Sequence, residues 1–270
     1  MITSTSNQQI KTIMKLQKSS KARREQQVFL VEGIRMFREI PEHELVKAYV
    51  TEDWKKQLPA HWEEGKTYEV VSDSVFREIS DTQTPQGVLA VVRQMTYERE
   101  SLLTGIVTAH TNSGSCENVP TPCVLVLENI QDPGNLGTIF RTAEGAGVTG
   151  IMMSQDTVDI YNSKVVRATM GAIFRMPFYY EKDIKEGVSW LKEQGICCYA
   201  AHLNGTIFYD YDYCKPSCFF IGNEGNGLTP ELTAAADERI RIPMEGQVES
   251  LNASTAATVL MYEAMRQRYQ

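Results

Sequence analysis

The chain has 270 residues, enough for one large or two modest domains around a sizeable core. Its 42% apolar and 23% charged content is that of a folded globular protein, and no apolar run reaches the ~20 residues of a membrane span. A net charge of −7 is unlike strongly basic nucleic-acid-binding domains, yet residues 1–38 hold eight basic against two acidic side chains, +6, which leaves −13 for the rest.

The N-terminus, MITSTSNQQIKTIMKLQKSSKARR, has no apolar h-region, so it does not read as a secretory signal, and a cytoplasmic location is expected. Its basic side chains form either a local phosphate-binding patch or a solvated helix face. QQIKTIMKLQ has helical period, QVFLVEGIRMFREI is a strand turning into a helix, and VKAYVTE is a strand. YEVVSDSVFREIS repeats strand to helix with Ser72 as cap, and QGVLAVVRQ closes with a strand. Residues 1–97 thus read as a small α/β domain. Residues 98–121, rich in Ser, Thr, Asn, Gly and Pro without a period, read as a linker.

From Pro122 onward, the strand-type runs CVLVLEN, GIMMS, MPFYY, ICCYAAH, SCFFIGN and ERIRIPM alternate with helical runs. The helical runs are NLGTIFRTAEGAG, NSKVVRATMGAIF, DIKEGVSWLKEQ and LTPELTAAA. This alternation predicts a mostly parallel sheet with helices on both faces, in a second domain over residues 122–270. Such sheets bind ligands at the carboxyl ends of their strands, where Asn129, Gly222, Ile242 and Pro243 fall. Of Cys116, Cys123, Cys197, Cys198, Cys214 and Cys218, several lie in apolar strand-like runs, which suits small buried hydrophobes in a reducing compartment. No second pair or His cluster joins Cys214 and Cys218, so no metal is expected.

Three loops carry the chemistry. After the first of these strands, Pro133 and Gly134 predict a tight turn and Asn135 a helix cap. Arg141, six residues on, either orients a phosphate or sugar or pairs with Glu144 or Glu128. FFIGNEGNGLTPE has G-x-x-G-x-G spacing, the wrong order for a dinucleotide fingerprint, and no P-loop lysine follows. Its glycines suit close approach to a flat ligand or loop-on-loop packing; Glu224 accepts a ligand hydrogen bond or caps the helix near Thr229. RIPMEGQVESLNASTAATVLMYEAMRQRYQ runs from a strand through a loop into an alanine-rich helix. Small polar residues at its start either hold a ligand or merely cap the helix, through Asn252 or Ser254.

Together the loops resemble those of the SpoU, or TrmH-like, RNA 2′-O-ribose methyltransferases of the SPOUT superfamily. Asn129, Asn135, Gly137 and Arg141 match the first motif of that family, and Gly222, Glu224, Gly225 and Gly227 the second. Ile242, Pro243, Met244, Ser250, Leu251 and Asn252 match the third. FLVEGIRMFREI and DTQTPQGVLAVV are similar to the substrate-binding domain often fused to this family, related to the ribosomal-protein L30e fold.

The resemblance implies an α/β protein in which a small L30e-like domain precedes a parallel-sheet methyltransferase domain tied in a trefoil knot, a rare exception to the un-knotted rule. It implies S-adenosylmethionine as cofactor, held by the backbones at Gly222, Ile242 and Leu251 with Leu203 lining the pocket. It also implies a homodimer through the C-terminal helix. Ala256, Ala257, Leu260, Met261 and Ala264 suit such packing, as they suit an ordinary core helix.

The reaction so implied is methyl transfer to a ribose 2′-hydroxyl, foremost of 23S ribosomal RNA, with transfer RNA or a non-catalytic ribosome-assembly role as alternatives. Arg141 is the family's favoured general base. A guanidinium stays protonated in proteins, so a second role is to stabilise the oxyanion and clamp a phosphate. Asn135, Glu224, Ser250 and Asn252 would position Arg141 and the sugar. Lys164 and Arg167, beside Asn162, reach RNA phosphates or form a charged helix face. Lys18, Lys21, Arg23 and Arg24 are expected to give a salt-sensitive RNA affinity.

Overall fold

A computed structural model describes residues 1–57, 68–105 and 121–269. Most of the expected linker, and Cys116, lie outside the described residues. The chain forms two compact units, one of Met1–Thr96 with Asp159–Phe174 and the other of Tyr97–Val158 with Arg175–Gln270. Residues 159–174, read from the sequence as part of the C-terminal domain, thus group with the first unit.

In the first unit, α1 (Gln8–Lys18) begins where the Asn7 side chain accepts the Gln9 N–H, at 2.8 Å. Ile10, Ile13 and Leu16 recur at helical spacing and are fully buried, each contributing roughly 1.5–3 kcal/mol. Ser19 then caps α2 (Ser20–Gln26) by accepting the Ala22 N–H. There follow β1 (Val28–Glu32), α3 (Ile34–Arg38), β2 (Leu45–Val50), α4 (Glu52–Lys55), β3 (Tyr68–Val70), α5 (Asp73–Ile79) and β4 (Val88–Arg93). Ser72 caps α5 as its position in the sequence predicts. The sheet runs β1-β4-β2-β3, with only β2 and β3 parallel. The apolar face of α1 packs with Leu30, Tyr49, Val71, Phe76 and Ile79. From the distant segment, Tyr161 brings its ring centroid 4.7 Å from that of Phe29.

The second unit opens with α6 (Ser101–Thr104), which lies directly on β6: a Cβ on Gly150 would meet Leu102 Cα at 2.5 Å. Its elements are β5 (Cys123–Leu127), α7 (Pro133–Gly145) and β6 (Gly150–Ser154); the next helix, α8 (Ser163–Ala168), is in the first unit. Then come β7 (Phe178–Glu181), α9 (Ile184–Glu193), β8 (Cys197–Ile207), β9 (Ser217–Ile221), α10 (Pro230–Ala235), β10 (Glu238–Arg241) and α11 (Ala253–Arg268).

All six strands are parallel, in the order β10-β8-β9-β5-β6-β7. The continuous apolar runs follow from this, since β5 and β9 are buried on both faces. Chain order reverses between the neighbours β5 and β9, so their carboxyl ends form the switch point where open α/β sheets bind ligands. The five described cysteines are free; burial pushes the Cys123 thiol up to about 11, which keeps it unreactive. Among the described residues no cluster of metal-ligating side chains occurs, and no helix is long and apolar enough to cross a membrane.

Candidate active site

The loops after β5 and β9 and the loop before α11 meet in a chain of hydrogen bonds. Asp132 caps α7 by accepting the Asn135 N–H at 2.8 Å, with Pro133 in the first helical position. The cap is therefore Asp132, not Asn135 as the sequence predicts, and this leaves the Asn135 amide free to bridge. Asn135 Nδ2 donates to Glu224 Oε1 (3.0 Å), and its Oδ1 accepts from Asn252 Nδ2 (2.9 Å). At the other end, Asn252 Oδ1 caps α11, accepting the N–H groups of Ser254 (2.9 Å) and Thr255 (3.3 Å).

Backbone N–H groups are donors only, so they fix which way the Asn252 amide points. That in turn fixes Asn135, which presents its NH2 to the carboxylate. Asn252 is thus the cap of α11, and the same amide joins the three loops through Asn135.

Glu224 anchors the other end. Its Oε1 also accepts the Asp132 N–H (3.0 Å), and its Oε2 the Gln131 N–H (3.1 Å). Burial works against the carboxylate, but Asn135 and these backbone donors outweigh it and hold its pKa below the ordinary 4.5. It does not cap α10; the Thr229 hydroxyl does, while Glu128 accepts from the Thr229 N–H (2.7 Å) and hydroxyl (2.8 Å). The β9 loop closes through reciprocal backbone bonds between Asn223 and Gly227 (3.0 and 2.9 Å), and Asn223 Nδ2 donates to the Asn129 carbonyl (2.8 Å). A Cβ on Gly222 would lie 2.2 Å from Gly227 C, so packing within this loop demands that glycine.

Arg141 and Ser250 stand apart from this chain. Both are exposed, and among the described residues neither side chain makes a hydrogen bond or ion pair. The carboxylates the sequence offers to Arg141 are engaged elsewhere, Glu128 as above and Glu144 with Arg175.

Two of the expected cofactor residues fall at the carboxyl ends of strands that flank β8, and Leu251 precedes α11. Gly222 follows β9 and Ile242 follows β10. Leu203 lies on an excursion of β8 where its register with β10 shifts, and it is 61% exposed. The backbones of Gly222, Ile242 and Leu251 take no part in the hydrogen bonds that tie the described loops together. Peptide groups without a partner suit the polar edge of an adenine, and an exposed leucine side chain suits its face.

Residues 122–262 match the SpoU rRNA methylase family, and residues 7–90 the MRM3-like substrate binding domain. The chain is 31% identical over 263 residues to the 23S rRNA (guanosine(2553)-2′-O)-methyltransferase RlmP of Bacillus subtilis, with 97% of each chain covered. The chain belongs to the SpoU rRNA methylase family. A further likeness is to the 23S rRNA (uridine(2479)-2′-O)-methyltransferase of Streptomyces viridochromogenes, 34% identical over 150 residues, which are 53% of this chain and 52% of the relative. The AdoMet-bound rRNA methyltransferase of Sinorhizobium meliloti matches with a TM-score of 0.83 at 29% identity, covering 98% of this chain and 97% of that one.

Of the RNA-contact residues expected in this SpoU-family chain, Arg23 requires correction. It is 5% exposed and donates to Asp159 (2.5 Å) and to the Leu16 carbonyl (2.6 Å), so it ties α1, α2 and the segment after Val158 together. Lys18, Arg24 and Lys164 are exposed, and Lys21 lies 3.9 Å from Glu25 in an open pair. Arg167 pairs with Asp81 (3.0 Å), which also accepts from the Ser163 hydroxyl (2.6 Å). Burial opposes the charge on Asp81, but Ser163 and Arg167 hold its pKa below the usual value. Sequence reasoning overlooked Asp132, Gln131 and Asn223. The Asp-Pro-Gly run before a helical period is a signal for the first of these; the other two act through partners distant in sequence.

Proposed function

We propose that this SpoU-family protein transfers a methyl group from S-adenosylmethionine to a ribose 2′-hydroxyl of 23S ribosomal RNA. The observation that carries this reading is the Glu224–Asn135–Asn252 chain, which locks three loops together at the switch point of the parallel sheet. Relatives named as 23S rRNA 2′-O-methyltransferases support the substrate class. The cofactor supplies an electrophilic methyl on sulfur; the protein must bind it, aim the hydroxyl and dispose of the hydroxyl proton.

A ribose hydroxyl is a weak nucleophile until that proton leaves. Glu224 is not the base, because its oxygens already accept three hydrogen bonds and its proton affinity is lowered. Arg141, exposed and without a carboxylate partner among the described residues, has its charge available for the developing oxyanion and the adjacent phosphate. Ser250 completes the contact with the sugar, and Gly222, Ile242, Leu251 and Leu203 hold the cofactor.

The same reading has the knotted, dimeric architecture of the family and a cytoplasmic location. Ala257, Leu260, Met261 and Ala264 are buried within their own chain, so the dimer proposal does not rest on them. It rests on Arg141 and Ser250, which fit a site completed by a second copy, and on Tyr262 of α11, 46% exposed.

The test is methyl transfer from labelled cofactor to unmodified 23S rRNA, with the product mapped by mass. Arg141→Ala is expected to lose at least a hundredfold in rate while keeping its fold, the scale of one lost oxyanion donor. Full activity in that variant would sink the role given to Arg141. Mixing Arg141→Ala with Asn252→Ala chains restores activity if each site uses both copies, and restores none if a single chain holds the whole site.

A further inference from the structure

The first unit holds a cleft that methyl transfer leaves unused. Its walls are Ile13 and Leu16 of α1 with Val28, Val46 and Val91 of the sheet, and it encloses about 240 Å³. That is less than the ~300–1,000 Å³ of a whole small-molecule site, and it suits one part of a larger ligand. A β-bulge brings Val46 into it. Leu45 pairs with Val92 and Lys47 with Val91, which leaves Val46 as the extra residue, 38% exposed.

Polar groups rim the cleft. Gln9 Oε1 accepts from Lys47 Nζ (2.9 Å) and the Tyr49 hydroxyl (3.1 Å), which leaves the Gln9 NH2 free among the described residues. The exposed amide of Gln26 likewise has no described partner. Glu69, 3.2 Å from Lys47, is an acidic group beside the rim. Beyond Thr12, the neighbouring face of α1 carries Lys11, Lys15 and Lys18, all exposed, in a helix without a single acid.

An apolar slot, amides offering both donors and acceptors, and a row of cations beside them match an unstacked base with its flanking phosphates. A protein side chain entering the slot would make no use of the lysine row. We propose that this cleft receives one unpaired base of the RNA substrate while Lys11, Lys15 and Lys18 take the adjoining phosphates. The proposal rests on RNA being the substrate, as inferred above.

The test uses the full chain and unmodified, transcribed 23S rRNA, with affinity measured across a range of salt concentrations. Val46→Trp fills the cleft and spares every lysine; binding is expected to weaken about tenfold, the effect of losing one base contact, with the salt slope unchanged. Replacing Lys11, Lys15 and Lys18 together by Gln is expected to flatten the slope by about 2. Should Val46→Trp lower the melting temperature, Gln26→Ala, at an exposed helix end, repeats the test. RNA carrying 4-thiouridine is expected to photocrosslink to the peptide holding Gln26 or that holding Val46.

Unaltered affinity in both cleft variants, or crosslinks confined to other peptides, overturns the cleft and leaves the RNA reading standing. Weakened binding to ribosomal particles with normal binding to free RNA points to a protein partner and also overturns it. Failure of the unaltered protein to bind RNA overturns both readings.

Discussion

At the scale of single residues, the orientation of one amide settles the orientation of the next. Asn135→Asp places a second carboxylate where an NH2 now meets Glu224 at 3.0 Å, exchanging attraction for repulsion. Its expected result is loss of methyl transfer and a lower melting temperature. Asn252→Ala removes the cap of α11, costing about 1 kcal/mol, and strands the Asn135 oxygen, costing roughly another 1–3 kcal/mol.

Glu224 makes the site sensitive to acid. Its folded pKa lies below the unfolded value, so its contribution is complete above about pH 4.5 and is lost as the pH falls through the lowered folded value. A Glu224→Gln chain is expected to lose that acid limb when melting is followed against pH; an unchanged limb would remove Glu224 as the anchor. Arg23 belongs to stability rather than affinity. Arg23→Ala is expected to cost ~3 kcal/mol in chemical denaturation, because Asp159 and two carbonyls lose their donor. Lys18→Glu and Arg24→Glu are expected to leave the melt unchanged and weaken RNA binding.

At the scale of elements, glycine at 222 and glycine at 225 make opposite demands. A methyl at Gly222 collides with the Gly227–Leu228 backbone, whereas at Gly225 the nearest atom is Asn223 Oδ1 at 3.6 Å. Gly222→Ala is therefore expected to abolish cofactor binding in calorimetry, and Gly225→Ala to leave it near normal. Buried parallel strands spell themselves as unbroken apolar runs, so β5, β6 and β9 were legible, as were the three loops; the edge strand β10, with three of its four residues exposed, is no such run. The four-residue helices α4 and α6 are too short to display a period. Side-chain identity also did not reveal that Asp132 rather than Asn135 caps α7, since both residue types are good caps and only the backbone selects between them.

At the scale of the whole molecule, charge is unevenly divided along the chain. The +6 of residues 1–38 lies in the first unit, and so does Lys164, although its place in the sequence suggests the other. No local pattern shows that residues 159–174 group with Met1–Thr96, or that Arg23 finds its carboxylate 136 residues away. These are consequences of tertiary packing, which a linear pattern does not carry. The loops that bring Asn135, Glu224 and Asn252 together were legible because they follow or precede elements that the sheet itself dictates.

The dependence of Asn135 on Asn252 has a consequence in time. Asn252 is oriented by the first turn of α11, and α11 follows in the chain every loop that it organises. While a chain is being synthesised, the β5 and β9 loops emerge before the helix that sets their amides. Until that turn has formed, Asn135 can face either way and Glu224 lacks one of its donors. Competence for methyl transfer is therefore expected only once the first turn of α11 has formed.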